Sequence, residues 1–467
     1  MRTTVILAVG IAAACALATG APAAANTPAA RVAVGLTVPG GVTGVAAHGN
    51  IAAAISKSGR SVTIIDAAVP SVRSTMALPD APSGVALSPD GSLAYVAVGH
   101  EIVVVDTVTG ALARSGAYDN EAMPDRVTGG QQPCVSTNQY VSGMQLRSPA
   151  TSPDGRLLYF VGDCQEGPAI WSIDPATMLV VKKAFTYSGR GGLGMPNGPL
   201  AAFDDQAIVT GVHPDDYCLD AEDCGPTPIV ITSNGDTYKG FQYAKGFATG
   251  PFSALTRDQV TGTLLASKDQ SLVWVDPASG AQVRSIDGVG SSFTDLKVDP
   301  TTGLVYGRDG QGTVVVDPVA GRALGMIMTT LDAVAAGRGY HGTDTGIDLV
   351  DLGAGLVPTR PLAVTASIGR AVKGKVKATV TWQGPASAGS SPVTGYWVRA
   401  YSRRSAADKK PWVLAYRLGP RTTSVTYLRQ VTTTNPKNPA LYSFTVTPIN
   451  AVGEGASGST QVTAPRK

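Results

Sequence analysis

The sequence predicts an all-β protein, and three observations indicate this class. Glycine (55) and proline (32) are abundant among the 467 residues, as expected where many tight turns connect short strands. Charged residues make up 15% and hydrophobic residues 43%, a balance that argues against disorder and provides apolar side chains for a core. Short runs rich in Val, Ile and Thr alternate with turn-forming residues along most of the chain, which is the pattern of strands and hairpins.

Residues 1–25 indicate a signal peptide. Arg2 precedes a short apolar run and an Ala-rich stretch that ends near Ala25, and these are the features of a secretory signal with its cleavage site. We therefore expect a secreted, extracellular protein. Modification at Cys15 would instead make it a lipoprotein at the cell surface, although the residues before Cys15 lack the expected leucine. No later run reaches the ~18 consecutive apolar residues that a transmembrane segment needs.

A repeated unit organises residues 31–358. One copy, 82–115, contains four β-type runs separated by turns, among them Ser-Pro-Asp-Gly (88–91) and Asp-x-x-x-Gly (106–110). In the first of these turns proline presets its own φ, aspartate bonds nearby backbone, and glycine accepts a positive φ. Copies of the unit start near seven residues: Val42, Gly84, Pro149, Pro199, Ser253, Phe293 and Asp332.

Seven four-stranded units of about 40 residues predict a seven-bladed β-propeller. The seventh unit holds only three β-type runs, and the run 31–39, before the first unit, would supply the missing strand and close the ring. The Ser-Pro-Asp-Gly hairpins and the VVVD-T-x-T-G turns resemble the YVTN-type family of seven-bladed propellers. The resemblance implies the fold and leaves the function open, because such rings act as scaffolds, ligand binders and occasionally enzymes.

Residues 359–467 form a second predicted module. Trp382, the Pro-rich loop 385–392, the Gly395-Tyr396 pair, Tyr442 and the turn 450–455 resemble a fibronectin type III domain. The resemblance implies an immunoglobulin-like β-sandwich in which Trp382 lies in the core and Tyr442 is the corner tyrosine. Trp397 alternates with Tyr396 on one predicted strand, so one of these two rings should face solvent.

The two modules carry opposite charge. Residues 359–467 contain sixteen Lys and Arg against two acidic residues, a net charge of +14, whereas residues 31–358 have a net charge of −12. A module this basic attracts anionic polymers, and export makes an envelope polymer or acidic glycan a better partner than nucleic acid. The alternative is that the basic module complements its acidic neighbour. The candidate polyanion-binding residues are Lys373, Lys375, Lys377, Arg403, Arg404, Lys409 and Lys410.

The candidate ligand-binding rim lies in four long segments between predicted strands, 118–147, 187–198, 211–227 and 243–251. Each segment lies between blades or between the second and third strands, so all four should open on one face, and long loops often carry function. Its candidate residues are Asp119, Glu121, Asp125, Arg126, Tyr140, Arg190, His213, Asp215, Asp216 and Tyr217.

Four cysteines remain after signal cleavage, and an even number in an exported chain predicts two disulfides. Pairing of sequence neighbours, Cys134 with Cys164 and Cys218 with Cys224, is the simplest of three possible connectivities. A zinc site is the alternative, but the cysteine spacing matches no zinc pattern. The acidic stretch 213–223 could bind Ca²⁺, yet it lacks the spacing of a calcium loop. We therefore assign no metal and no other cofactor.

The sequence favours a non-catalytic binding protein. It contains no H-E-x-x-H, G-x-S-x-G or phosphate-loop motif, and His48 and His100 fall near repeat turns, where surface positions are expected. The expected partners are an extracellular protein or glycan at the rim and an anionic polymer at the basic module. The rival hypothesis is a polysaccharide hydrolase or lyase that uses paired carboxylates such as Asp125 and Asp216. A purely architectural spacer is a third possibility.

Overall fold

The computed structural model describes residues 32–118, 122–124, 131–133, 145–164, 167–185, 200–204, 206–211, 227–232, 241–243, 252–289, 292–353, 355–369, 375–403, 412–430 and 441–463. In these residues every regular element is a β-strand, so the predicted all-β class is confirmed. The first strand is β1 (Val32–Thr37).

Residues 44–117 form two four-stranded antiparallel sheets whose strands pair in chain order. Sheet 1 contains β2 (Gly44–His48), β3 (Ile51–Ser56), β4 (Ser61–Asp66) and β5 (Ser71–Ala77). Sheet 2 contains β6 (Pro82–Leu87), β7 (Leu93–Val98), β8 (Glu101–Asp106) and β9 (Leu112–Ala117). A separate hairpin of β10 (Ala122–Pro124) and β11 (Gln131–Pro133) follows, which the sequence had not predicted.

Sheets 3 to 6 repeat this arrangement. Sheet 3 contains β12 (Gln145–Thr151), β13 (Leu158–Cys164), β14 (Gly167–Asp174) and β15 (Leu179–Phe185). Sheet 4 contains β16 (Ala201–Ala202), β17 (Gln206–Gly211), β18 (Thr227–Thr232) and β19 (Phe241–Tyr243). Sheet 5 contains β20 (Ala254–Arg257), β21 (Leu264–Lys268), β22 (Ser271–Val275) and β23 (Gln282–Ile286). Sheet 6 contains β24 (Asp295–Val298), β25 (Val305–Asp309), β26 (Gly312–Asp317) and β27 (Arg322–Ile327).

Sheet 7 joins the two ends of this region. It contains β28 (Ala333–Ala335), β29 (Arg338–Thr343) and β30 (Gly346–Asp351), and its fourth strand is β1. The register pairs Leu36 with Ile347 and Thr37 with Gly346. The prediction that the run before the first unit completes the last one is therefore confirmed.

The repeated turns form as their sequences predict. Ser88 Oγ donates to Asp90 Oδ1 (2.5 Å) and accepts from the Leu93 amide (2.9 Å), while Gly91 adopts a φ of 73°. Asp106 Oδ1 accepts from the Thr109 amide (2.8 Å). These short polar side chains satisfy turn amides locally, which fixes where each hairpin reverses.

The first strands of the seven sheets contact one another in a cyclic order: β2, β6, β12, β16, β20, β24, β28 and again β2. The turns after neighbouring first strands also meet. The Asp154 amide donates to Asp204 Oδ1 (3.2 Å) between sheets 3 and 4, and the Gly337 amide donates to Asp299 Oδ2 (3.4 Å) between sheets 6 and 7. We call the side with these turns the turn face. Because the strands of each sheet are antiparallel, the second-to-third-strand hairpins and the connections between sheets lie on the opposite side, the loop face.

Hydrophobic packing between neighbouring sheets holds this arrangement together. The two middle strands of sheets 1 and 2 are almost continuously buried, whereas the outer strands β5 and β9 alternate with exposed residues. Between sheets 2 and 3, the Phe160 and Trp171 rings stack at 6.1 Å and Tyr118 packs against both. Each middle strand is thus covered on both faces, which explains its run of apolar residues.

The remaining strands form two further sheets, here called the C-terminal module. The three-stranded sheet orders β31 (Pro361–Ile368), β32 (Lys375–Pro385) and β35 (Ser424–Gln430). The four-stranded sheet orders β34 (Trp412–Leu418), β33 (Gly395–Arg403), β36 (Leu441–Ile449) and β37 (Gly458–Thr463). Both sheets contribute to one core, in which Trp382 and Tyr442 are buried. Tyr396 is also buried, so Trp397 is the more exposed ring of that pair.

The C-terminal module docks on sheet 6. Val357 exchanges backbone hydrogen bonds with Met326 on β27 (2.9 and 3.1 Å) and joins the hydrophobic core of sheets 5 and 6. Arg360 Nη2 pairs with Asp309 Oδ2 at 2.6 Å. Gln311 donates to the Ser457 carbonyl (2.7 Å) and accepts from the Ser457 amide (2.6 Å). Because 309–312 is a hairpin of the loop face, the module docks beside that face.

Candidate functional site

A cavity of about 550 Å³ lies among the first strands, with lining residues from all seven sheets. This volume is within the usual range for small-ligand sites. Most of its wall is small or apolar, including one alanine from each of five sheets: Ala46, Ala86, Ala150, Ala201 and Ala333. The small side chains leave the space open, and they make the few charged groups in the wall conspicuous.

The strand register shows that Lys297 replaces a small residue. Ala86 pairs with Tyr95, Ala150 with Tyr159 and Lys297 with Tyr306, and each of these tyrosines belongs to a Leu-x-Tyr sequence that begins the second strand. Lys297 therefore lies at the level of two alanines. Its Nζ pairs with Asp295 Oδ1 on the same strand at 3.0 Å.

Arg257 is the second cation of the wall. Arg257 forms the last pair between the first and second strands of sheet 5, with Leu264. The residues that form this pair in sheets 2 and 6 are Leu87, with Ala94, and Val298, with Val305. The positions equivalent to Arg257 in those two sheets are therefore aliphatic. The Arg257 guanidinium lies 6.0 Å from the centre of the Phe203 ring, and burial lowers its pKa. Within the described part of the chain, the Arg257 side chain makes no hydrogen bond or ion pair.

A paired acid completes the charged part of the wall. The Asp332 carboxylate contacts Arg308 Nη2 (2.5 Å), the Gly342 amide (2.7 Å) and, at 3.7 Å, His341 Nδ1. Burial alone would raise the pKa of Asp332, but the contact with His341 and the hydrogen bonds from Gly342 and Arg308 outweigh it and lower that pKa. The same contact with Asp332 raises the pKa of His341. Asp332 is therefore an anion whose charge is already balanced.

The outer surface of the C-terminal module is the second candidate site. The Arg399 guanidinium lies over the Trp397 ring, 5.6 Å from the ring centre. Trp397 also pairs in register with Arg417 on β34. Arg399 also contacts Glu454 at 3.4 Å, whereas Arg417 and Arg421 are exposed, as is Lys377 on β32. In the described residues, Arg360 is the single cation of this part of the chain that forms an ion pair with sheet 6.

None of the ten candidate rim residues lies in the described part of the chain: Asp119, Glu121, Asp125, Arg126, Tyr140, Arg190, His213, Asp215, Asp216 and Tyr217. Their segments nevertheless connect the strands that the sequence predicted. Three join successive sheets, and the fourth joins β17 to β18, the second and third strands of sheet 4. All four therefore begin and end at the loop face.

Other predicted residues are partly described. Lys377 is exposed, Lys375 begins β32 and Arg403 ends β33, while Lys373, Arg404, Lys409 and Lys410 lie outside the described residues. Cys164 ends β13, and Cys134, Cys218 and Cys224 lie outside them, as does the acidic stretch considered for Ca²⁺.

Sequence reasoning missed the cavity and its charged residues Arg257 and Lys297. It also expected His48 at the surface, whereas this side chain is half-buried and lines the cavity. Aligning the repeats on their Leu-x-Tyr sequences and counting back across each turn would have identified Lys297 as an exception among small residues, but the second strand of sheet 5 begins Leu264-Leu265-Ala266 and lacks this sequence, so it gives no such signal for Arg257.

Comparison with known proteins gives no relative: no protein-family model matches the chain, and no curated protein is significantly similar to it. The described residues contain no helix with the length and apolar character of a membrane span. They also contain no cluster of three or more His, Cys, Asp or Glu side chains suited to a metal ion.

Proposed function

We propose that the chain is a secreted, non-catalytic binding protein. Its seven sheets are the blades of a seven-bladed β-propeller closed by β1, and its C-terminal module is an immunoglobulin-like sandwich of the fibronectin type III kind. The basic module associates with an anionic envelope polymer or acidic glycan, and the loop face recognises a protein or glycan.

The propeller proposal is supported by the cyclic contacts of the first strands and by the pairing of β1 with β30. A four-stranded sheet with both faces apolar must be covered by neighbours, and a ring covers every sheet. The sandwich proposal is supported by the core that the two C-terminal sheets share around Trp382 and Tyr396, whose rings lie 5.5 Å apart.

The binding proposal depends on one observation: in the described residues, docking on sheet 6 pairs a single cation of the C-terminal module with an acidic residue. Residues 359–467 carry a net charge of +14, and the described interface with sheet 6 uses Arg360 alone among their cations. If the basic module served to neutralise the acidic propeller, the interface would contain many ion pairs. An outward field of this sign attracts polyanions, and the attraction weakens as salt is added.

The test is retention of the mature chain on immobilised heparin, an acidic glycan, and on immobilised polyphosphate, with elution by a salt gradient. We expect the variant K377E/R417E/R421E to elute at clearly lower salt than the wild type. The matched control K57E/R284E/R322E makes the same charge change at exposed propeller positions and should elute close to the wild type.

Equal losses in the two variants would show that net charge alone governs retention and would contradict the assignment to the basic module. Failure of the wild type to bind either polymer at ~0.15 M salt, where charges are screened beyond about 8 Å, would overturn it. Release of reducing ends from a panel of polysaccharides would contradict the non-catalytic part of the proposal and support the hydrolase or lyase.

A further inference from the structure

We propose that the cavity among the first strands is a binding site for a small molecule carrying an oxyanion, a carboxylate or phosphate group, with Arg257 as its principal contact. This site is separate from the polyanion-binding surface of the C-terminal module. It is enclosed by the ring of sheets, and its charged groups belong to sheets 5, 6 and 7.

Arg257 Nε is buried and has no hydrogen-bond partner in the described residues. Two carboxylates lie near it, but their described hydrogen bonds go elsewhere. Asp258 accepts from Trp274 Nε1 (2.8 Å) and from the Val260 amide (2.9 Å), and Asp204 accepts from the Asp154 amide (3.2 Å). Arg257 is half-buried, and a charged group that is partly removed from water without an acceptor for its buried N–H is costly. An oxyanion in the cavity would receive the free N–H groups in the paired geometry that arginine favours.

The fold does not require a cation at this position. The equivalent residues of sheets 2 and 6, Leu87 and Val298, fill the same level of the wall with aliphatic side chains. An aliphatic residue in sheet 5 would avoid the cost of burying a charge. The arginine is therefore better explained by a ligand than by stability.

The other charged groups of the wall already have partners of opposite charge. Asp332 is balanced by Arg308 and His341, and Lys297 is balanced by Asp295. Among the cations of the wall, Arg257 is therefore the one whose side chain has no hydrogen-bond partner in the described residues. Lys297 lies on the neighbouring first strand and is placed to contact the same ligand. A ligand of small volume is indicated, because the alanines and valines around these two residues leave about 550 Å³.

The experiment is a titration of the mature chain with inorganic phosphate, succinate or citrate, in which isothermal titration calorimetry measures the binding. It uses the K377E/R417E/R421E background, so that binding to the basic module contributes less. At least one of these anions should bind saturably, with one site per chain. Phosphate binding without succinate or citrate binding would assign a phosphate ligand, and the reverse would assign a carboxylate.

Variants at position 257 test the contact itself. Arg257→Gln should weaken binding at least tenfold, and Arg257→Lys, which keeps the charge but loses the fork geometry, should weaken it less. The control Arg322→Gln, at an exposed residue of β27, should bind as the wild type does. Unchanged affinity in both Arg257 variants would overturn the proposal. So would the absence of saturable binding of all three anions by the K377E/R417E/R421E chain that retains Arg257.

Discussion

His341 and Asp332 form a contact whose contribution to stability depends on pH. The groups around His341 are Asp332, Asp348, Arg308 and the Thr330 hydroxyl (3.3 Å). The contact with the Asp332 carboxylate raises the pKa of His341 above its ordinary 6.5, so the folded chain holds this proton more tightly than the unfolded chain. The stabilisation is then complete below about pH 6.5 and is lost as the pH rises through the folded-state pKa.

We therefore expect His341→Asn to lower the melting temperature at pH 6 and to have a smaller effect at pH 8. Thermal unfolding of both chains between pH 5.5 and 8.5 measures the difference. His48→Asn is the control, because His48 forms no ion pair in the described residues. A difference that stays constant across this range would show that His341 contributes through packing and not through its charge.

At the scale of elements, β1 is the strand on which ring closure depends. It lies more than 300 residues before its partner β30 in the sequence, and Val38, directly after it, is 1% exposed in the core that sheets 1 and 7 share. Without β1, the edge of β30 would expose unpaired backbone groups, which are a template for aggregation.

Deletion of residues 31–39 should therefore lower the melting temperature sharply and promote aggregation, and a synthetic peptide of the same sequence should restore stability when added in excess. A milder pair of variants tests the same contact. Val38→Asp places a charge in the core and should be severely destabilising, while Thr37→Asp, at an exposed neighbour, should be nearly neutral. Normal stability of the deletion variant would contradict the closing role of β1.

The sequence predicted the strands and turns because each depends on local chemistry, such as an apolar run, a Ser-Pro-Asp-Gly turn or an aspartate at the end of a strand. The same local pattern indicated that the run before the first unit supplies the fourth strand of sheet 7. The cavity was not predictable in this way. Its wall depends on which residues lie at the same height on neighbouring strands, and the last paired residues of the first and second strands are separated by two residues in sheet 1 but by six in sheet 2. Arg257 and Lys297 therefore look like ordinary strand charges until the register is known.

At the scale of the whole molecule, the docked C-terminal module should unfold together with sheet 6. Val357 belongs to the core of sheets 5 and 6, and the Ser387 hydroxyl donates to the Leu324 carbonyl on β27 (2.6 Å). The interface is thus hydrophobic at its centre and satisfied in its hydrogen bonds. Contacts of this kind link two folding units into one cooperative transition, whereas a flexible linker would leave two.

Arg360→Leu tests this coupling. The Asp309 side chain is 1% exposed, so replacing Arg360 removes the cation that contacts a buried carboxylate. This should lower the free energy of unfolding by about 1–3 kcal/mol. We expect calorimetry to show a single transition in the wild type and a separate, earlier transition of the C-terminal module in the variant.

Arg421→Leu removes an exposed arginine of the same module and should leave the single transition intact. The double variant R360L/D309L should recover part of the loss, because it also removes the buried carboxylate that Arg360 contacts. Two transitions in the wild type would mean that the described contacts do not couple the two parts, and the positive charge of the module would then act on a partner independently of the seven sheets.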